Sequence, residues 1–327
     1  GKPVEILEIQ NQLSEDITKL IRMHNQESRR LTYCDLLSAI DTDFLTAILT
    51  QAGLRRFWTK VKRFNAALAM SSFDQVLYEG LMEAIGYSSN KMNTLMIAHS
   101  LNLESLKQYK AEGMSSAELI SILLCSTGLL DKAKSRVTPA LSEQLLQFYE
   151  QQKWYARHLD IAWQLFRIRP ASHPLNRLIV MAEFLWQHLD SGLLSYLAAS
   201  TNTADPSKRF RQFASCLSFT PSFGEGHFNA LGKNLLATMY LNVYLPVMAL
   251  WAQKTSDDTT LVAIINAYKT FNGLQDNYVL RFMNRYLSTE HVKLIKTKSI
   301  YQQGIMDVYH RFCNWHYCEE CLRAVKQ

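Results

Sequence analysis

Apolar residues recur at three- and four-residue intervals along almost the whole of this 327-residue chain, and only twelve glycines and seven prolines interrupt them. That spacing gathers apolar side chains on one stripe of a helix. The scarcity of turn residues argues against a sheet-rich fold. The fold class read from the sequence is therefore all-α. It is an irregular multi-helix array rather than a regular solenoid, since no repeat of fixed period is found. The opening residues GKPVEILEIQ alternate weakly instead. They read as a short extended segment with no later strand to pair with.

Leu13, Ile17, Leu20 and Ile21 share a helical face behind Ser14 and Asp16. Asp41–Met70 gives a long helical pattern, gently broken at Gly53. Ser72 is placed to cap the next helix, which runs to Gly86 as a C-cap glycine. Helices over Asn90–Leu101 and Ser115–Cys125 follow. Gly128–Pro139 is polar and aperiodic and reads as a linker. Leu141–Phe166 is again helical and must stop before Pro170 and Pro174. Ser172 then caps a helix with Pro174 in its first turn, running to His188. Ser200–Lys233 reads as an irregular surface crossing. Helices over Asn234–Gln253, Asp258–Phe271, Asn277–Tyr286 and Ser299–Phe312 complete the chain. The expected division is an extended stub (1–12), a first helical region (13–135) and a second (136–327).

The most apolar run, Leu235–Ala252, approaches the length of a membrane span. Asn242 and Pro246 interrupt it and no second such run exists, so a buried, proline-kinked core helix is expected and no membrane partner.

A net charge of +6 makes the chain mildly basic, which suits nucleic acid or an acidic partner. Six cysteines are too few for a disulfide scaffold, and no signal peptide is visible, so a cytoplasmic, thiol-reducing compartment is expected. Three of the six crowd together. Cys313, Cys318 and Cys321 are spaced C-x4-C-x2-C, with His310 and His316 beside them. Sulfur ligands at this density suit zinc or an iron–sulfur cluster, and either histidine would complete a Cys3His set. The alternative is ordinary buried thiols, which is how Cys125 and Cys216 read. A metal with four protein ligands would be structural, because no position stays open for water.

RRFWTKVKR places Arg56, Lys60 and Arg63 along one side of a helix, with Arg55 and Lys62 nearby. This is a phosphate-contacting stripe or a solvated face. Lys208, Arg209 and Arg211 fall in the irregular stretch and would meet phosphates from a loop. Lys293, Lys296 and Lys298 form a further basic group. Arg167, Arg169 and Arg177 flank two prolines at a helix start, where they suit an anion or fix the corner by pairing with acids. GEGHFNALGK fails the Walker pattern, and neither H-E-x-x-H nor G-x-S-x-G occurs. No catalytic residue is assigned.

The segments EAIGYSSN (Glu83–Asn90), RIRPASHPLNRL (Arg167–Leu178), NVYLPVMA (Asn242–Ala249), DNYVL (Asp276–Leu280) and YQQGIMDVYHRFC (Tyr301–Cys313) occur in that order. Together they resemble an uncharacterised bacterial family, domain of unknown function twenty-eight fifty-one. Ser172 stands where the family carries Asn. The resemblance implies a preceding module similar to restriction-endonuclease-like nucleases, with PVEILEIQ similar to its last strand. Catalytic residues would then lie outside this chain, leaving a helical accessory region that contacts DNA or RNA. It also implies an early thiol, matched by Cys34, beside the late ones. Cys34, Cys313, Cys318 and Cys321 would make a four-ligand set tying together the two ends of the chain. The competing reading is a protein-interaction scaffold with no nucleic-acid role.

Overall fold

The structure is a computed structural model describing residues 40–154, 157–169, 172–218, 231–315, 317 and 320–321. The expected stub 1–12 and the helix around Leu13–Ile21 lie outside these residues. Helix dominates the described residues. They contain no sheet, only an isolated antiparallel bridge between Asn272 and Lys298. The all-α reading holds.

In chain order the helices are α1 (Thr42–Leu68), α2 (Phe73–Ile85), α3 (Tyr87–Ser100), α4 (Leu103–Ala111), α5 (Ser116–Cys125), α6 (Leu129–Lys132), α7 (Pro139–Gln151) and α8 (Pro174–His188). There follow α9 (Leu193–Ser200), α10 (Pro206–Leu217), α11 (Lys233–Met239), α12 (Leu245–Lys254), α13 (Asp258–Thr270), α14 (Tyr278–Met283), α15 (Thr289–Thr297) and α16 (Ser299–Arg311). The chain falls into two compact units. The larger is Leu54–Gln275 with Lys298–Ile300, and the smaller is Gly1–Gly53, Asp276–Thr297 and Tyr301–Gln327.

The larger unit is organised around α2. Ser72 caps it by accepting the Gln75 N–H at 3.2 Å, satisfying a donor that the first turn leaves open. Val76, Leu77, Tyr78, Leu81, Met82 and Ile85 on this helix are all buried. Gly80 lets a neighbour approach closely, since a Cβ there would lie 2.6 Å from a Val243 methyl carbon. A second cluster packs α5 against both α7 and α8. The Ser115–Glu118 capping box starts α5, with each side chain bonding the other's backbone N–H.

The apolar run is the core helix expected of it. The helix Lys233–Lys254, through α11 and α12, is long and apolar enough to cross a membrane, yet 83% of its most apolar window is buried inside the protein. Between α11 and α12 the turn Tyr240–Tyr244 widens to a π-helix, and the Leu245 N–H reaches back to the Tyr240 carbonyl. Pro246, which follows closely on this wide turn, has no N–H for the Asn242 carbonyl.

Four local expectations are corrected. Gly128–Pro139 is not an unstructured linker: Gly128 adopts a left-handed φ of 63° and starts α6, and Leu129, Leu130 and Ala133 are buried. The Leu141–Phe166 helix ends at Gln151, and residues 157–165 are non-helical. There Leu159, Ile161 and Trp163 are buried alternately, a two-residue period proper to extended chain. Ser172 does not cap α8. His173 does, its Nδ1 accepting the Leu175 N–H at 3.2 Å. The KRFR segment is not a loop but part of α10, capped by Asp205 with Pro206 in the first turn.

In the smaller unit, α16 packs its glycine face on the first part of α1. A Cβ on Gly304 would lie 2.3 Å from the Leu49 carbonyl oxygen, so only glycine allows this approach. Phe282 of α14 meets Tyr309 of α16 edge-on at 5.4 Å. Asn277 caps α14 through the Leu280 N–H at 3.0 Å.

A basic and aromatic corner as candidate functional site

Two of the motif segments meet in the larger unit. The turn between α2 and α3 is Gly86, where a Cβ would lie 2.4 Å from both the Asn90 carbonyl oxygen and Thr94 Oγ1. Tyr87 follows with φ 56°, a left-handed conformation that costs a non-glycine residue about 1 kcal/mol or more. The strain turns its ring outward, 58% exposed. Asn90 then departs from helical geometry (φ −118°, ψ 15°). Its buried side chain brackets Gln164, donating to that residue's carbonyl at 3.0 Å and accepting its N–H at 2.9 Å. The segment so held carries Phe166, which is 84% exposed, and Arg167, a second strained residue at φ 57°. The Arg167 guanidinium lies 5.0 Å from the Phe166 ring centre.

Arg177, on α8, comes to the same corner from beneath. It is 7% exposed, donates to the Ile85 carbonyl at 2.6 Å, and lies 5.3 Å from the Tyr87 ring centre. It has no ion-pair partner among the described residues. Burial draws its pKa below the usual arginine value. Burial, reinforced by the Arg136 and Arg177 charges, pushes His173 down to about 4. That residue is accordingly a neutral imidazole at neutral pH, with Nδ1 bare to accept its capping bond. The corner presents cationic groups and two exposed aromatic rings. It suits binding of an anionic group and stacking of a flat one.

The other candidate basic residues are dispersed. Lys60 points inward and donates to Asn242 Oδ1 in the wide turn. Burial, then the nearby Arg56 and Arg63 charges, hold its ammonium pKa well below the usual lysine value. Arg63 pairs with Glu83 at 2.9 Å, and Lys91 reaches the same carboxylate at 2.6 Å. Burial alone would raise the Glu83 pKa, but hydrogen bonds from these two cations lower it. Arg55 is exposed and Arg56 half-buried on α1, so only part of the stripe faces outward. Arg167 and Arg169 are exposed near the corner. Lys208 and Arg211 are exposed on α10, whereas Arg209 between them is buried.

Of the candidate metal ligands, Cys34, Cys318 and His316 lie outside the described residues. Cys313 and Cys321 are half-buried in the smaller unit, and the Cys321 N–H bonds the Tyr317 carbonyl at 3.1 Å. His310 is exposed in the last turn of α16. No group of three or more metal-ligating side chains forms among the described residues. Cys125, 3.8 Å from the Leu145 carbonyl, is pushed up to about 11 by burial and is a poor nucleophile.

Sequence reasoning missed Tyr87, Asn90 and Phe166. The glycine before Tyr87 and the odd-numbered alternation ending at Trp163 were the available signals.

The sequence model of a family described as protein of unknown function (DUF2851) matches residues 1–277. The match takes in both corner segments and the wide turn, and stops short of Tyr301–Cys313. No curated protein and no solved structure matches the chain.

Proposed function

Since this chain belongs to the DUF2851 family of proteins of unknown function, its role must be argued from its own surface, and we propose that it is a helical accessory region that contacts single-stranded nucleic acid. The observation that carries this reading is the exposed Tyr87 ring over the buried Arg177 guanidinium, which has no ion pair among the described residues. A base stacked on Tyr87 or Phe166 would set its backbone phosphate near the exposed Arg167 and Arg169, with the buried Arg177 charge adding to the positive field. Stacking on an aromatic side chain contributes about 1–3 kcal/mol per base and tolerates any sequence. Phosphate contacts add a salt-dependent term. The left-handed backbone at Tyr87 and Arg167 supports the reading, because strain of this kind concentrates where a side chain must be aimed. In this role the region would serve a nuclease module of the kind the motif resemblance implies.

Labelled single-stranded DNA and RNA, titrated at low and at raised salt, test it. Binding should be measurable at low salt and fall steeply with added salt. Tyr87→Ala should weaken it about tenfold, and Arg167→Ala with Arg169→Ala should flatten the salt dependence. No binding at low salt would sink the reading and favour a protein-interaction scaffold.

The reading extends to a structural metal site of Cys34, Cys313, Cys318 and Cys321, with His310 or His316 as substitutes. Four thiolates would suit zinc or an iron–sulfur cluster and would bind no substrate. Elemental analysis and an absorption spectrum of anaerobically purified protein decide it. Metal-free, colourless protein would remove the site.

A further inference from the structure

Arg209 carries a second buried positive charge, distinct from the corner. It is 5% exposed on α10. Its guanidinium donates to the Thr203 carbonyl and lies near the Tyr244 hydroxyl, which pairs with Thr201. Its Nε has no hydrogen-bond partner among the described residues. No ion pair to it forms among the described residues. The nearby carboxylate of Asp205 is engaged instead as the helix cap, with Oδ1 accepting the Ser207 N–H at 2.8 Å and the Lys208 N–H at 3.2 Å. Tyr240 sits in the wide turn beside this arginine, whose charge acts on its phenol. It is fully buried and its hydroxyl has no partner among the described residues. Its ring is fixed by Phe213 at 5.3 Å, Phe210 at 5.2 Å and Tyr244 at 5.7 Å, so the hydroxyl cannot swing away. On the Arg209 face of α10, one turn further on, Gln212 Oε1 is also buried without a partner among the described residues.

Burying an uncompensated ion costs several kcal/mol, and each orphaned polar atom adds about 1–3 kcal/mol. Native interiors keep few such groups, so a cluster of them calls for an explanation, and a bound ion is one. We propose that Arg209 and Tyr240 form an internal site for a hydrogen-phosphate-type oxyanion, either free phosphate or the terminal phosphate of a small monoester. Arg209 Nε–H and the Tyr240 hydroxyl donate to its oxygens. The remaining P–OH group donates to Gln212 Oε1. This donor–donor–acceptor set fits a singly protonated phosphate better than a carboxylate, which has no proton to give. Arg209 and Tyr240 are buried, away from the exposed corner, so the proposal is separate from the nucleic-acid reading and survives or fails independently of it.

Calorimetric titration and thermal melting of the whole chain test it, with inorganic phosphate as the probe and acetate and chloride at matched ionic strength as comparators. Phosphate should bind at one site and raise Tm, and acetate and chloride should not. A small phosphomonoester that competes with phosphate would assign the site to such metabolites, and one that does not would assign it to the free ion. Tyr240→Phe keeps the stacked ring, removes only the hydroxyl, and should weaken phosphate about tenfold with no loss of fold. Arg209→Met should abolish binding. If phosphate changes neither heat nor Tm, the orphaned atoms are met by water and the proposal is wrong. Equal effects of all three anions, or full affinity in Tyr240→Phe, would overturn it as well.

Discussion

Asn90 holds Gln164 as a neighbouring β-strand would, donating to its carbonyl at 3.0 Å and accepting its N–H at 2.9 Å with a single side chain. Asn93 adds a bond to the Ala162 carbonyl at 3.1 Å and another to Asn90 Oδ1. One amide therefore joins two stretches of chain that are 74 residues apart. Asn90→Ala removes both Gln164 bonds and should cost roughly 2–3 kcal/mol, because the Gln164 backbone groups lose their partners in a part-buried place. Trypsin cleavage after Arg167, the only one of the two nearby arginines not followed by proline, should accelerate more than global unfolding does. Equal acceleration of both would mean that Asn90 does not anchor this segment in particular.

Gly86→Ala should destabilise by roughly 2–3 kcal/mol through overpacking, because the new Cβ meets a backbone oxygen that cannot step aside. Gly232→Ala is the control. Nothing lies within 4 Å of its Cβ position and its φ of −68° suits any residue. Its unfolding midpoint should stay close to wild type. Similar losses in the two variants would refute the steric account.

His173 should make the fold acid-sensitive. Its folded-state value of about 4 lies below its ordinary 6.5, so the unfolded chain takes up the proton first as pH falls. Stability should be full above 6.5, fall through the window down to about 4, and level off below it. The total is on the order of 2–3 kcal/mol. His173→Asn retains a capping oxygen without a titrating group. Denaturant titrations across that window should show the slope diminished in the variant, and an unchanged slope would place the acid sensitivity elsewhere.

Lys60 should act at the other end of the pH scale. Its folded-state pKa lies below 10.5, so stability rises with pH from that lowered value toward 10.5, where the unfolded lysine is also neutral. Lys60→Met should abolish this part of the rise while the other lysines titrate as before. Parallel curves for the two proteins would show that the inward Lys60–Asn242 contact does not perturb the amine.

Helix starts were legible where the signal is local. Ser72, Ser115 and Asn277 each cap the helix that the sequence led one to expect. Leu235–Ala252 was legible as core because its apolar character outweighs its length. The alternation of Leu159, Ile161 and Trp163 was hidden inside a stretch rich enough in helix formers to pass for a helix. The start of α10 was equally present in Asp205–Pro206, a cap followed by an N-terminal proline. The depth of Arg177 was not legible at all. Its partner is the Ile85 carbonyl, 92 residues away, and nothing near Arg177 in the chain distinguishes it from the exposed Arg167 and Arg169. For this reason the list of basic residues read from sequence mixes surface charges with buried ones.

The wide turn at Tyr240–Tyr244 carries one residue more than an α-helical turn needs. Each residue advances an α-helix by about 100°, so α11 and α12 are out of phase by roughly that angle. A run that looks like one continuous apolar cylinder thus behaves as two half-helices, each with its own inward stripe. Together they keep nearly every side of the run covered. Removing a single residue from the turn would bring the two halves into register and swing one of them away from its neighbours, so the length of this segment is as strongly constrained as its composition.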